Sequence, residues 1–71
     1  MMKDDLPELT RYLQKTFRTD ALRVVMHPKK TDMAEVFVGD DFLAPLYREE
    51  EDGEVSYQLQ MVILDVDLDD A

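Results

Sequence analysis

Phe42-Leu43-Ala44-Pro45-Leu46-Tyr47-Arg48-Glu49-Glu50-Glu51-Asp52-Gly53-Glu54-Val55-Ser56-Tyr57-Gln58-Leu59 is the stretch on which the fold turns. Asp52-Gly53 between two apolar-rich runs is the pattern of a two-residue type I′ hairpin loop, whose central residues both need positive φ. Glycine adopts that conformation without steric cost, and aspartate tolerates it better than most residues. A loop this short sets a register, and a one-residue slip would turn every side chain to the other face. It places Glu51 opposite Glu54, Arg48 opposite Tyr57, Leu46 opposite Leu59, Ala44 opposite Met61 and Phe42 opposite Ile63. The pairs agree chemically on one face, and the acidic run Glu49–Asp52 becomes a solvated hairpin tip.

Downstream of the hairpin the apolar pattern changes phase. Val55, Tyr57, Leu59, Met61 and Ile63 are apolar at odd positions, whereas Val62, Leu64, Val66 and Leu68 are apolar at even ones. Either a bulge turns the inward face at Met61–Leu64, or that stretch is buried on both sides. With no Gly or Pro to interrupt it, one long strand with a bulge or strong bend is favoured.

Upstream, Gly39-Asp40 reads as the turn between Ala34-Glu35-Val36-Phe37-Val38 and Phe42–Tyr47, without settling the register there. Pro45 has no amide proton, so its strand either lies at an edge or presents Pro45 at a non-bonded position. Leu22-Arg23-Val24-Val25-Met26 is a further strand, joined to the next by His27-Pro28-Lys29-Lys30-Thr31-Asp32. Before it, Leu6, Leu9, Leu13 and Phe17 recur at helical spacing, with Asp5 as cap, Pro7 in the first turn and Glu8 completing a capping-box pattern. The spacing predicts a helix over about 5–17. The fold expected is α+β: an N-terminal helix packed on a four-stranded antiparallel meander, in the order α-β-β-β-β. It makes one domain, 1–71, with 1–4 and 69–71 as frayed termini.

Charge is sorted along the chain. Residues 11–30 hold Arg11, Lys15, Arg18, Arg23, Lys29 and Lys30 against Asp20 alone, while residues 31–71 hold Arg48 against 13 acids. The total is −9, which disfavours nucleic acid and anionic membrane surfaces as partners. No helix-turn-helix, RNP-like strand or GXXG clamp is present to offset that. The longest apolar run, Met61–Leu64, is far short of the ~20 residues that span a bilayer, and no basic start precedes an apolar stretch as in a secretory signal. With no cysteine, the expected setting is cytoplasmic.

Catalytic patterns are wanting, and the chain reads as no enzyme. His27 is the single histidine and Ser56 the single serine. A general base at His27 would need a pocket and an orienting acid, for which Asp32 is the nearest choice, but a solvated loop histidine is the plainer reading. Asp65-Val66-Asp67-Leu68-Asp69-Asp70 lacks the glycine and terminal Glu of a Ca²⁺ loop, so no metal and no cofactor is expected. Gly39 and Gly53 are isolated turn glycines, not a phosphate loop.

The sequence resembles a family of short, functionally uncharacterised alphaproteobacterial proteins classed as a domain of unknown function. The residues that carry the resemblance are Pro28-Lys29-Lys30-x-Asp32, Ala34–Asp40, Asp52-Gly53-Glu54-x-Ser56-Tyr57 and Met61-x-Ile63-Leu64-Asp65, and it runs from about Leu9 to Leu68. Pro45 departs from the strand-forming apolar residue expected there. The resemblance implies a bacterial cytoplasmic setting and brings no activity, ligand or site.

One helix covers only one face of such a sheet. Phe42, Ala44 and Leu46 are expected to share the covered face, leaving Leu43, Pro45 and Tyr47 on the other, with Phe37 beside them. The expected function is therefore a non-catalytic protein-interaction module that meets a protein partner or a second copy through Phe37, Leu43 and Tyr47. The alternative is an accessory protein that holds a phosphorylated or nucleic-acid ligand on Arg11, Lys15, Lys29 and Lys30.

Overall fold

The Asp52-Gly53 loop closes its hairpin in the expected register, with Glu51 opposite Glu54, Arg48 opposite Tyr57 and Leu46 opposite Leu59. Asp52 and Gly53 have φ of 53° and 83°, as a type I′ turn requires. The structure, a computed structural model, describes residues 2–69. Its elements are α1 (Met2–Phe17), β1 (Leu22–Met26), β2 (Met33–Val38), β3 (Asp41–Glu51), β4 (Glu54–Leu59) and α2 (Asp65–Asp69). The strands form one antiparallel meander in the order β1-β2-β3-β4, so the α+β architecture with an N-terminal helix is as the periodicity indicates.

The helix begins three residues earlier than Asp5. In place of a frayed end, residues 2–4 form its first turn, and the Met2 side chain is 1% exposed within the core. Burial of Met2 therefore offsets the cost of Pro7, which removes one intrahelical hydrogen bond and crowds the preceding turn. At the other end Arg18 has φ 56°, and the Thr19 amide donates to the Gln14 carbonyl at 3.0 Å, a Schellman closure around a non-glycine residue. Gln14 Nε2 also donates to the Leu22 carbonyl at 3.0 Å, tying the helix to the start of β1. Met1, Asp70 and Ala71, part of the expected frayed termini, lie outside the described residues.

Met2 and Leu13 of α1 pack with Leu22, Ala34, Val36 and Leu46 in the core, and Leu6, Leu9, Val24, Met26, Tyr57 and Leu59 surround them. The sheet thus buries one face under the helix. Leu59, Leu46, Ala34 and Met26 form one row across it.

Two expectations about the strands are corrected. The bulge lies in β3: Val36 pairs with Ala44 but Phe37 with Phe42, so Leu43 is the extra residue. Beyond Leu43 the faces exchange. Phe42 does not share the covered face with Ala44 and Leu46 but meets Phe37 on the opposite one, and Leu43 packs against the core. The long last strand is also absent. β4 stops at Leu59, residues 60–64 have no regular structure, and the pairs Ala44–Met61 and Phe42–Ile63 do not form. The break falls at Pro45. Gln60 donates its amide to the Pro45 carbonyl at 3.3 Å, but proline has no amide to return the second bond of that pair. The bulge then carries the next residues of β3 out of register.

Candidate interaction surfaces

The face of the sheet opposite α1 is built by strand alternation. Arg23 and Val25 of β1, Met33, Glu35 and Phe37 of β2, and Pro45 and Tyr47 of β3 all fall out of phase with the buried positions. Cross-strand pairing sorts them into rows. Arg23, Phe37 and Phe42 form one, Val25, Glu35 and Pro45 the next, and Met33 and Tyr47 a third, two residues further on. In the first row the Phe37 and Phe42 rings meet edge to face, with centroids 5.7 Å apart, and the Arg23 guanidinium lies 5.0 Å from the Phe37 ring centre. Arg23 Nη2 donates to the Gly39 carbonyl at 3.1 Å, so the cation is held over the ring. Phe42 remains 52% exposed. Of the three residues expected to bind a partner, Phe37 and Tyr47 are on this face; Tyr47 pairs with Met33, four residues from Phe37 along β2, which sets the two roughly 14 Å apart. Leu43 belongs with the core instead.

The four basic residues proposed for an anionic ligand do not come together. Lys29 and Lys30 line a cleft of about 370 Å³ with Met26, His27, Pro28 and Lys3. Lys3 joins them because α1 starts early and its first turn lies beside the β1–β2 loop. Arg11 and Lys15 are exposed on α1, eight and twelve residues beyond Lys3, which is about 12 and 18 Å along the helix. The loop itself is shaped by His27, whose Nδ1 accepts from the Lys29 amide at 3.1 Å while its own amide donates to the Met33 carbonyl. With Nδ1 so engaged, Asp32 does not orient the ring through that atom, and Asp32 lines a separate depression with Tyr47 and Gln58. Among the described residues no group of three or more His or acidic side chains is placed to hold a metal ion. In α2, Asp67 Oδ2 accepts from the Leu64 amide at 3.0 Å, closing the helix start.

Sequence reasoning missed a third site. The Tyr57 hydroxyl donates to Asp5 Oδ2, joining β4 to the first turns of α1. Burial raises the Tyr57 pKa above its ordinary 10.0, and the Asp5 carboxylate adds to the rise while Arg48 across the strand opposes it. Arg48 reaches Glu50 at 3.5 Å, and its Nε is buried without a hydrogen-bond partner among the described residues. The alternation that put Tyr57 inward was visible in the sequence, but a partner 52 residues away was not. The groove between these elements, of about 350 Å³, is lined by Asp5, Glu8, Leu9, Tyr12, Val55 and Tyr57.

Beyond Leu59 the chain leaves the sheet. Met61, Val62, Ile63, Leu64, Val66 and Leu68 are each between 52% and 74% exposed, and α2 buries no residue. No helix among the described residues is long and apolar enough to cross a membrane.

Helix, bulged meander and exposed C-terminal segment together define a small α+β chain with one face of its sheet open. The chain belongs to the family described as "Protein of unknown function (DUF3126)", whose model matches residues 5–67. The matched span takes in most of α1, the whole sheet and most of the C-terminal segment. No curated protein and no solved structure matches it.

Proposed function

We propose that the protein is a non-catalytic interaction module and that its binding surface is the open face of the sheet. The observation that carries this reading is the apolar band formed by Phe37, Phe42, Pro45 and Tyr47, which α1 does not cover. A band of this kind, interrupted by a single carboxylate at Glu35, suits a protein surface whose apolar side chains surround a basic residue. Aromatic side chains with both an apolar body and a polar or edge contact are the common anchors of such interfaces.

The test is affinity capture with the wild-type chain beside Phe42→Asp and Tyr47→Asp, after thermal melts establish that both variants fold. A partner retained by the wild type, lost on both variants and weakened by Glu35→Lys supports the reading. A partner that binds all four chains alike overturns it. The alternative, an anionic ligand on Arg11, Lys15, Lys29 and Lys30, is weakened by the separation of Arg11 and Lys15 from the two loop lysines. What remains of it is the cleft around Lys3, Lys29 and Lys30.

A further inference from the structure

That cleft and the C-terminal segment match each other in charge and pattern, yet the topology of a single chain keeps them apart. The cleft is lined by Lys3, Lys29 and Lys30 together with the apolar residues Met26 and Pro28 and with His27 and Thr31. None of the three lysines is in an ion pair among the described residues. Asp65-Val66-Asp67-Leu68-Asp69 alternates acids with apolar residues, and Val66 and Leu68 are 59% and 62% exposed. In an extended conformation that alternation puts three carboxylates on one side and two aliphatic side chains on the other. The segment forms a five-residue helix that buries nothing. A helix of that length has little stability of its own, so extending it costs little.

The segment is poorly directed toward the cleft of its own chain. Leu59 lies in the same row of the sheet as Met26, but three strand spacings away, or about 14 Å. β4 also runs antiparallel to β1, so the chain leaves Leu59 heading away from the β1–β2 loop. A second copy has no such constraint. Because each copy carries a net charge of −9, a basic surface is the one that attracts another copy electrostatically, and this cleft is lined by three lysines.

We infer that the cleft of one copy receives Asp65–Asp69 of a second copy, with Val66 and Leu68 against Met26 and Pro28 and the carboxylates against Lys3, Lys29 and Lys30. The exchange is reciprocal, as a two-fold dimer requires. It uses residues separate from the open sheet face and goes beyond that reading.

The deciding experiment is a charge swap on the full chain, read by light scattering across protein concentration. Lys29→Glu with Lys30→Glu places an acidic segment against an acidic cleft; Asp65→Lys with Asp67→Lys places a basic segment against a basic cleft. Each double variant should dimerise roughly ten-fold or more weakly than the wild type. An equimolar mixture of the two should recover dimers, because each segment then meets a cleft of opposite sign. A wild-type chain that stays monomeric overturns the inference, as does a dimer indifferent to both reversals or a loss that mixing does not restore. A dimer abolished by Phe42→Asp and Tyr47→Asp but kept by the lysine reversal also overturns it, while supporting the open face. A monomer whose loop lysines bind a short single-stranded oligonucleotide overturns it in favour of a nucleic-acid ligand.

Discussion

At the scale of single residues, the Tyr57–Asp5 contact has the most direct consequence. Its hydrogen bond joins two residues 52 positions apart in the chain, and burial together with the Asp5 carboxylate disfavours ionisation of the phenol. Below pH 10 both folded and unfolded states keep the proton, and the contribution of the contact is complete. As pH rises through 10 toward the raised folded value, the unfolded state releases its proton first and stability falls. Tyr57→Phe should therefore cost about 1 kcal/mol at neutral pH and flatten the alkaline loss; urea midpoints of both chains at neutral and alkaline pH check this. Equal slopes would mean that the phenol is not held by Asp5. Residue identity made half of this arrangement legible. Alternation with Val55 and Leu59 marks Tyr57 as inward-facing, but alternation does not say which helical residue meets it.

Among the elements, β4 shows how a local backbone rule outweighs an apolar pattern. Met61-Val62-Ile63-Leu64 has the composition of a strand, yet the ladder stops where Pro45 cannot donate. Pro45→Val should supply the missing amide and complete the pair with Gln60, stabilising the fold by about 1 kcal/mol. Hydrogen exchange should then find the new amide at position 45 protected and the Gln60 amide slowed, with Met61 onward unprotected because the bulge at Leu43 remains. Rapid exchange at both positions would remove Pro45 as the cause of the break. The same bulge explains why the face assignment was legible for Ala44 and Leu46 but failed for Phe42 and Leu43. The hairpin register counts outward from Asp52-Gly53 and holds through Leu46, whereas the inserted residue is imposed by pairing with β2. The helix start was misplaced for a related reason. Asp5 and Pro7 carry a start signal, but burial of Met2 against the sheet lengthens the helix past it.

For the molecule as a whole, net charge sets an expectation that no single contact carries. The net charge is −9, with most of the acids in residues 31–71, and the ion pair found among the described residues joins Arg48 to Glu50. Uncompensated repulsion of this kind weakens the compact state and is screened by salt. Raising the ionic strength from about 0.02 M to about 0.3 M, where the Debye length falls several-fold, should move the urea midpoint upward; a midpoint that falls would mean that attractive pairs dominate. By itself, the sequence determined the number and order of the main helix and four strands, the hairpin register near its loop, and the separation of basic from acidic halves. Those depend on interactions between near neighbours: turn conformation, side-chain period and composition. Only the tertiary structure decided where β4 ends, which way Phe42 and Leu43 point, that Lys3 joins Lys29 and Lys30, and that Asp5 holds Tyr57. Each of these depends on a partner distant in sequence, and backbone pairing and core burial choose that partner after the local elements exist.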